Sequence, residues 1–267
     1  MQFRQKALAK LQSPEELDLP VRYARPQGGL VLAVTVVVMA AAAFWAFTGS
    51  VSSKLTAPGI LTHPQGSYVL QSPVAGQVTQ VFAKEGQTLR AGAPVLKVRT
   101  AQGDRAVRAV APGRVTSLVG KIGSVVTVGA DVASVERVSS TREPLVAMAY
   151  VPSRSAATVP VGATVDLTVQ SVPTQQYGVL RGKVKAVGRA PQNSRQIAAF
   201  LGDRELGKQF TADGQPVAVL VQLDRADTKS GYKWSTAGGP PNAIGSMTPV
   251  TGAIHLTAQR PIDWLLP

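Results

Sequence analysis

His63 and His255 are the only histidines in this sequence, and their surroundings argue against metal chemistry. They lie far apart, and neither has a Glu or a second His beside it at ligand spacing. Each reads as a surface or barrel residue. The chain has no cysteine, which excludes disulfides, thiol nucleophiles and Cys-ligated zinc. Its serines fall outside any nucleophile-elbow motif. Gly28-Gly29 and Gly238-Gly239 lack the strand–helix frame of a phosphate loop. Asp224 and Asp227 sit on either side of Arg225 in what reads as a solvated loop rather than an acid/base pair. The expectation is a chain with no catalytic, cofactor-binding or metal-binding residues, and so not an enzyme.

The formal charge of +13 raises the question of nucleic acid. The bases, however, stand singly among valines, alanines and glycines, with no basic run. At 5% of residues, the aromatics offer few stacking platforms. No nucleic-acid partner is expected. A diffusely basic surface facing anionic lipid or cell-wall polymer accounts for the charge.

The elements around these residues are more telling. A repeat runs through the chain at an offset of 37 residues. Pro73-Val74-Ala75-Gly76-Gln77-Val78-Thr79 is echoed by Ala111-Pro112-Gly113-Arg114-Val115-Thr116. Lys84/Lys121, Gly86/Gly123, Gly92/Gly129, Val95/Val132 and Val98/Val135 keep the same offset. Each copy is too small to bury a core alone, so the two predict one module with internal two-fold symmetry.

Upstream, Leu30–Phe47 is a run of 18 residues without a charge, roughly 27 Å as a helix and close to the thickness of a bilayer core. Phe44, Trp45 and Phe47 sit where an interfacial belt belongs. Arg4, Lys6, Lys10, Arg22 and Arg25 precede the run, and only Lys54 follows within thirty residues. The positive-inside rule then places the N-terminus in the cytoplasm and everything after about residue 50 outside. The long n-region and long apolar core favour an uncleaved single-pass anchor over a signal peptide or a buried soluble helix. One span cannot itself be a transport pore.

Before the anchor, Phe3, Ala7, Leu8 and Leu11 share a helical face beside Arg4, Lys6 and Lys10. That face can rest on the inner leaflet or dock on a partner's cytoplasmic domain, and both readings stay open. Within the anchor, Ala40, Ala41 and Ala43 offer a small-residue face suited to close helix packing or, equally, to lipid.

After the anchor, valine-rich runs alternate with Gly and Pro. They predict strands over 77–82, 94–98, 113–118, 124–128, 145–151, 164–169, 179–187 and 217–223, with a last strand near 253–258. One helix is expected after Ser194, capped by that residue, with Ile197, Phe200, Leu201 and Leu206 on its apolar side.

The duplicated unit resembles the two half-motifs of a biotinyl/lipoyl domain, with Glu85-Gly86-Gln87-Thr88-Leu89-Arg90-Ala91-Gly92-Ala93-Pro94-Val95-Leu96 as its hallmark turn sequence. In carriers of that family a lysine on the hairpin between the halves is modified. Here the hairpin reads Arg99-Thr100-Ala101-Gln102-Gly103-Asp104-Arg105-Ala106-Val107-Arg108 and has none. An unmodified lipoyl-like module behind one anchor, followed by a second β domain, resembles the HlyD-type membrane fusion (periplasmic adaptor) proteins. Met148-Ala149-Tyr150-Val151-Pro152 with Val159-Pro160-Val161-Gly162 is similar to the opening of that family's barrel, and Arg260–Pro267 to its closing segment. Phe3–Leu8 with Leu11–Asp18 looks most like the NHLM bacteriocin-system secretion proteins. Long members carry a coiled-coil hairpin between the lipoyl halves, but here only Arg99 to Val110 stands there.

The resemblance implies a mainly β fold: a single N-terminal transmembrane helix, a lipoyl/biotinyl-like flattened barrel and a second β-barrel domain. The expected divisions are a cytoplasmic amphipathic segment at 1–28 and the helix at 29–49. A linker with the first barrel strand follows at 50–68. The lipoyl-like domain takes 69–136, with half-motifs 72–98 and 111–135, and a barrel adaptor domain takes 137–267. It further implies an accessory subunit of an ABC transporter, in some systems one with a peptidase domain, exporting ribosomally made peptides. Self-association into an oligomer and residence in the cell (inner) membrane follow from the same likeness. Phe3, Leu8, Leu11, Ala40, Ala41 and Ala43 are the candidate partner contacts. A cell-surface β protein that binds wall or another ligand stays open as an alternative, as does a biotin or lipoyl carrier.

Overall fold

The computed structural model describes residues 26–50, 52–138, 140 and 143–257, which fall into an N-terminal helical unit and a β unit.

The helical unit is α1, Pro26–Thr48. A proline at the first position loses no intrahelical donor. From Gly28 the residues are exposed on nearly every side and apolar all round, with no polar stripe to bury against protein. Thr35 and Thr48 return their hydroxyls to the carbonyls four residues earlier, at 2.8 and 2.7 Å, so neither is left unpaired in an apolar setting. Among the described residues α1 is the one helix long and apolar enough to cross a membrane. Ala40, Ala41 and Ala43 lie on it, exposed. Phe3, Leu8 and Leu11 lie outside the described residues.

The β unit opens with β1 (Lys54–Thr62), and the repeat follows as β2 (Ser67–Gln71), β3 (Gly76–Val81), β4 (Thr88–Leu89) and β5 (Pro94–Thr100). The second copy is β6 (Gly103–Arg108), β7 (Gly113–Leu118), β8 (Val125–Val126) and β9 (Asp131–Glu136). The 37-residue offset carries each strand of the first copy onto its counterpart to within a residue. The sheets obey the same symmetry: one runs β2-β9-β7-β4 and the other β6-β5-β3-β8. Their shared core is built from equivalent pairs, Leu70 with Val107, Val78 with Val115, Val95 with Val132 and Val98 with Val135. Each copy thus supplies half of an apolar interior that neither could close alone.

Glycine is required at two kinds of position. Gly86 and Gly123, at φ 80° and 88°, take turn conformations closed to β-branched residues. A β-carbon on Gly76 or Gly113 would collide with the carbonyl of Arg99 or Glu136, itself an equivalent pair. The identities most visible in the sequence repeat therefore mark backbone approach.

The remaining strands are β10 (Val146–Pro152), β11 (Thr164–Val169), β12 (Leu180–Val187), β13 (Pro216–Leu223) and β14 (Pro249–His255). With β1 they close a barrel in the order β1-β10-β13-β12-β11-β14. Alternate residues point inward, and Ala147, Val165, Leu167, Val219 and Ile254 fill the interior with no exposed surface. The long excursion between β13 and β14 inserts Trp234 into this core, its indole N–H donating to Ser230 Oγ at 2.9 Å. The barrel is therefore a packed core and not a ligand cavity.

Short helices α2 (Ser153–Ala156) and α3 (Thr174–Tyr177) decorate the barrel connections. Between β12 and β13 the single expected helix is two, α4 (Ser194–Leu201) and α5 (Arg204–Phe210). Gly202, in the left-handed region, ends the first, and Asp203 caps the second through the amides of Glu205 and Leu206. Leu206 thus belongs to α5. The cap of α4 is Asn193 rather than Ser194: its side chain accepts from Gln196 N while Gln196 reaches back to Asn193 N. The last strand begins at Pro249 and ends at His255, earlier than its valine-poor sequence suggests, because it pairs with β1 and β11 along that span.

Candidate functional site

The chain crosses from barrel to repeat module after β1 and back after β9, and a buried polar cluster sits where these crossings begin. Glu136, at the end of β9, is fully buried. Its Oε1 accepts from Thr62 Oγ1 at 3.3 Å and from His63 N at 3.1 Å, and lies 2.9 Å from His63 Nδ1. Its Oε2 accepts from Ser246 Oγ at 2.5 Å. Burial alone would push the Glu136 carboxyl up, but the His63 and Ser246 hydrogen bonds outweigh it and hold the group below its ordinary value. One carboxylate thus fastens β1's exit, the end of the repeat module and the approach to β14.

The backbone around it is equally committed. Arg137 N donates to Gly66 O at 2.8 Å, and Met247 N donates to Leu61 O at 2.7 Å. Met247, beside Ser246, holds a φ of 59°, uncommon for a side-chain-bearing residue. Next to the cluster a cavity of about 430 Å³ opens between the modules, with His63, Arg114 and Tyr232 in its wall. The Tyr232 hydroxyl accepts from Leu145 N at 2.9 Å, which secures the second crossing.

A second fastening is the α4–α5 pair. Ile197, Leu201 and Phe210 pack on the outer barrel residues Ile60, Tyr150 and Ala218, with Tyr150 and Phe210 stacked at 4.5 Å. On its other side the pair meets the repeat module. Ser134 Oγ donates to Gly202 O at 2.7 Å, a β-carbon on Gly202 would press on Ser67, and Arg204 pairs with Asp131 at 2.9 Å. The helices therefore brace module against barrel beside β2.

His255 pairs with Asp166 at 2.9 Å on the outer wall of the barrel, where Arg181 also bonds the same carboxylate. The two histidines thus contact separate carboxylates, and the described residues contain no group of three or more ligating side chains arranged for a metal. Asp224 is engaged through its backbone with Arg181 and Lys233, a loop role rather than half of an acid/base pair. His63 is not a surface residue: it is buried against Glu136, 73 positions away. No local spacing in the sequence could reveal that pair.

No protein-family model matches the chain, and no curated protein matches it by sequence. Solved structures do match. ZneB from Cupriavidus metallidurans aligns at 13% identity with a TM-score of 0.52, covering 78% of this chain and 100% of that one. MacA from Actinobacillus actinomycetemcomitans aligns at 10% identity and a TM-score of 0.52, covering 80% and 81%. A MacA–MexA chimera that contains the Pseudomonas aeruginosa MexA α-hairpin domain aligns at 11% identity and a TM-score of 0.51, covering 79% and 84%. These likenesses are of fold.

Proposed function

We propose that this chain is a membrane-anchored adaptor, an accessory subunit that binds a transporter and shapes its exit. The observation that carries the reading is the combination itself: a two-fold lipoyl-like module and a closed six-stranded barrel behind one apolar helix. Membrane fusion and periplasmic adaptor proteins share this fold. The filled barrel leaves no internal binding chamber, which suits a part that works through its surfaces.

Within that reading the transporter is an ABC exporter of ribosomally made peptides, in some systems one bearing a peptidase domain. The energy comes from the partner's nucleotide hydrolysis. The N-terminus lies in the cytoplasm and the β unit outside the inner membrane. Phe3, Leu8 and Leu11 dock against the transporter's cytoplasmic side, and Ala40, Ala41 and Ala43 against its membrane helices. Copies assemble around the exit. The exported peptide passes through the space they enclose.

The carrier alternative has no support at the β5–β6 turn: Thr100, Ala101, Gln102 and Gly103 form it, and no lysine is present. The same turn stands where long adaptors insert a coiled-coil hairpin, and among the described residues no such hairpin occupies that place. It acts close to the membrane it is anchored in.

The test is purification through a C-terminal tag in mild detergent, with mass spectrometry of what comes with it. Stoichiometric recovery of an ABC transporter supports the reading. Recovery of this chain alone across several detergents overturns it.

A further inference from the structure

The internal symmetry makes a comparison available within one chain. β2 and β6 are equivalent, and each is an edge of its four-stranded sheet. The β2 edge is covered, since Gly66 packs against Phe200 and Gly202 against Ser67 in the α4–α5 brace. The β6 edge pairs with β5 and has no second neighbour among the described strands. Position by position, buried Ser67 and half-buried Tyr68 and Val69 correspond to exposed Asp104, Arg105 and Ala106. Leu70 and Val107 are both buried. The two edges thus share a backbone and an anchoring core residue but differ in what lies on them.

An open edge usually carries charges that deter pairing. Here the net charge is positive. β5 and β6 together hold Lys97, Arg99, Arg105 and Arg108 against the single acid Asp104. Asp104 is already taken, by Arg99 Nε at 3.1 Å and Lys97 Nζ at 3.7 Å. The Arg99 guanidinium bonded to it holds its carboxyl below the ordinary value, so it stays ionised and balances one of those bases. The rest are uncompensated. Two copies of this edge would repel each other, which disfavours a second copy of this chain as occupant. A strand bearing carboxylates meets both requirements at once, supplying the missing backbone partners and the missing charge.

We propose that the β6 edge, Gly103–Arg108, is a seat for an extended acidic polypeptide segment of another protein. The segment adds as a further strand beside β6, with its carboxylates facing Arg105 on one face of the sheet or Arg108 on the other, since side chains alternate along β6. The proposal rests on the edge itself and stands whether or not the adaptor reading holds.

The test uses the full-length chain in detergent and short labelled peptides. One alternates Val and Glu, a second alternates Val and Lys, and a third is the acidic peptide with a central proline. Fluorescence anisotropy reads affinity, and amide hydrogen exchange reads protection along residues 103–108. The acidic peptide is expected to bind, to protect β6 and to weaken with salt. The basic peptide does not bind, and the proline peptide binds at least about tenfold more weakly, since it cannot complete the ladder. Arg105→Glu with Arg108→Glu weakens binding by about tenfold or more, whereas Lys183→Glu with Lys185→Glu, on the barrel, leaves it unchanged. Equal binding of the proline peptide, an equal loss in the barrel variant, no protection at 103–108, or no binding overturns the proposal. If the double reversal lowers the melting temperature, Arg105→Gln with Arg108→Gln and the exchange pattern decide between the same outcomes.

Discussion

Replacing Glu136 by Gln preserves shape and volume at the joint while removing the charge on which three donors converge. In the native chain the carboxylate accepts from Thr62 Oγ1, His63 N and Ser246 Oγ with no exposed surface. Hydrogen bonds to a charged acceptor are worth about 1.5–3 kcal/mol and neutral ones about 0.5–1.5, so two or three weakened bonds cost about 2–3 kcal/mol. With its N–H2 turned toward Ser246, whose hydroxyl can accept, the amide keeps its partners, so the loss is that of the charge. A total near 3 kcal/mol lowers the melting temperature of a β unit of this size by about 6–12 °C.

The pH dependence is a second signature of the same perturbation. The Glu136 carboxyl titrates below its ordinary value of 4.5 in the folded chain, because the bonds from His63 and Ser246 outweigh its burial. The stability it contributes is therefore complete above 4.5 and is lost as pH falls through the lower folded value. Differential scanning calorimetry of the full chain, run from neutral to acid pH, reads both effects. The variant should melt lower at neutral pH and lack this part of the acid loss. A shift under about 2 °C at neutral pH, or an unchanged acid slope in the variant, would refute the role assigned to Glu136.

Three further outcomes follow from the packing. Gly113→Ala drives a β-carbon into the Glu136 carbonyl, so circular dichroism melts should show a loss of several degrees or failure to fold, while Gly86→Ala, with open space around it, pays only its backbone strain. Trp234→Ala empties the end of the barrel core and should cost about 3–5 kcal/mol by chemical denaturation. Asp166→Asn should cost about 1 kcal/mol at neutral pH: burial opposes ionisation there, yet the His255 and Arg181 bonds hold the carboxyl below its ordinary value, so this contribution too disappears as pH falls through that lower value.

The repeat was legible because its signals are local and doubled. Gly76 and Gly113, Gly86 and Gly123 mark close backbone approach and turns, and those needs recur wherever the same backbone recurs. The barrel strands with clean alternation, such as Val165-Asp166-Leu167-Thr168-Val169, were equally readable. The edge strand β6 was hidden, because five of its six residues are exposed and no inward face forms a pattern. The apolar spacing of Ile197, Phe200, Leu201 and Leu206 reads as one helix where the structure has two, although Asn193 with Gln196 three positions on is a capping-box signal and Gly202-Asp203 a stop followed by a start. The joint was the least legible part. Ser246 lies 110 positions from Glu136, and only the closed topology brings them together. Long-range pairs of this kind leave no trace in spacing. They are set by which strands are neighbours.

The central claim, that this scaffold serves a transporter, is tested most directly by cross-linking mass spectrometry on intact host membranes. The exposed lysines Lys84, Lys121, Lys183 and Lys185 serve as the reactive sites. The account predicts cross-links to one multi-span membrane protein with a nucleotide-binding domain, together with links between copies of this chain. Abundant links within the chain, with none to any transporter, would contradict it.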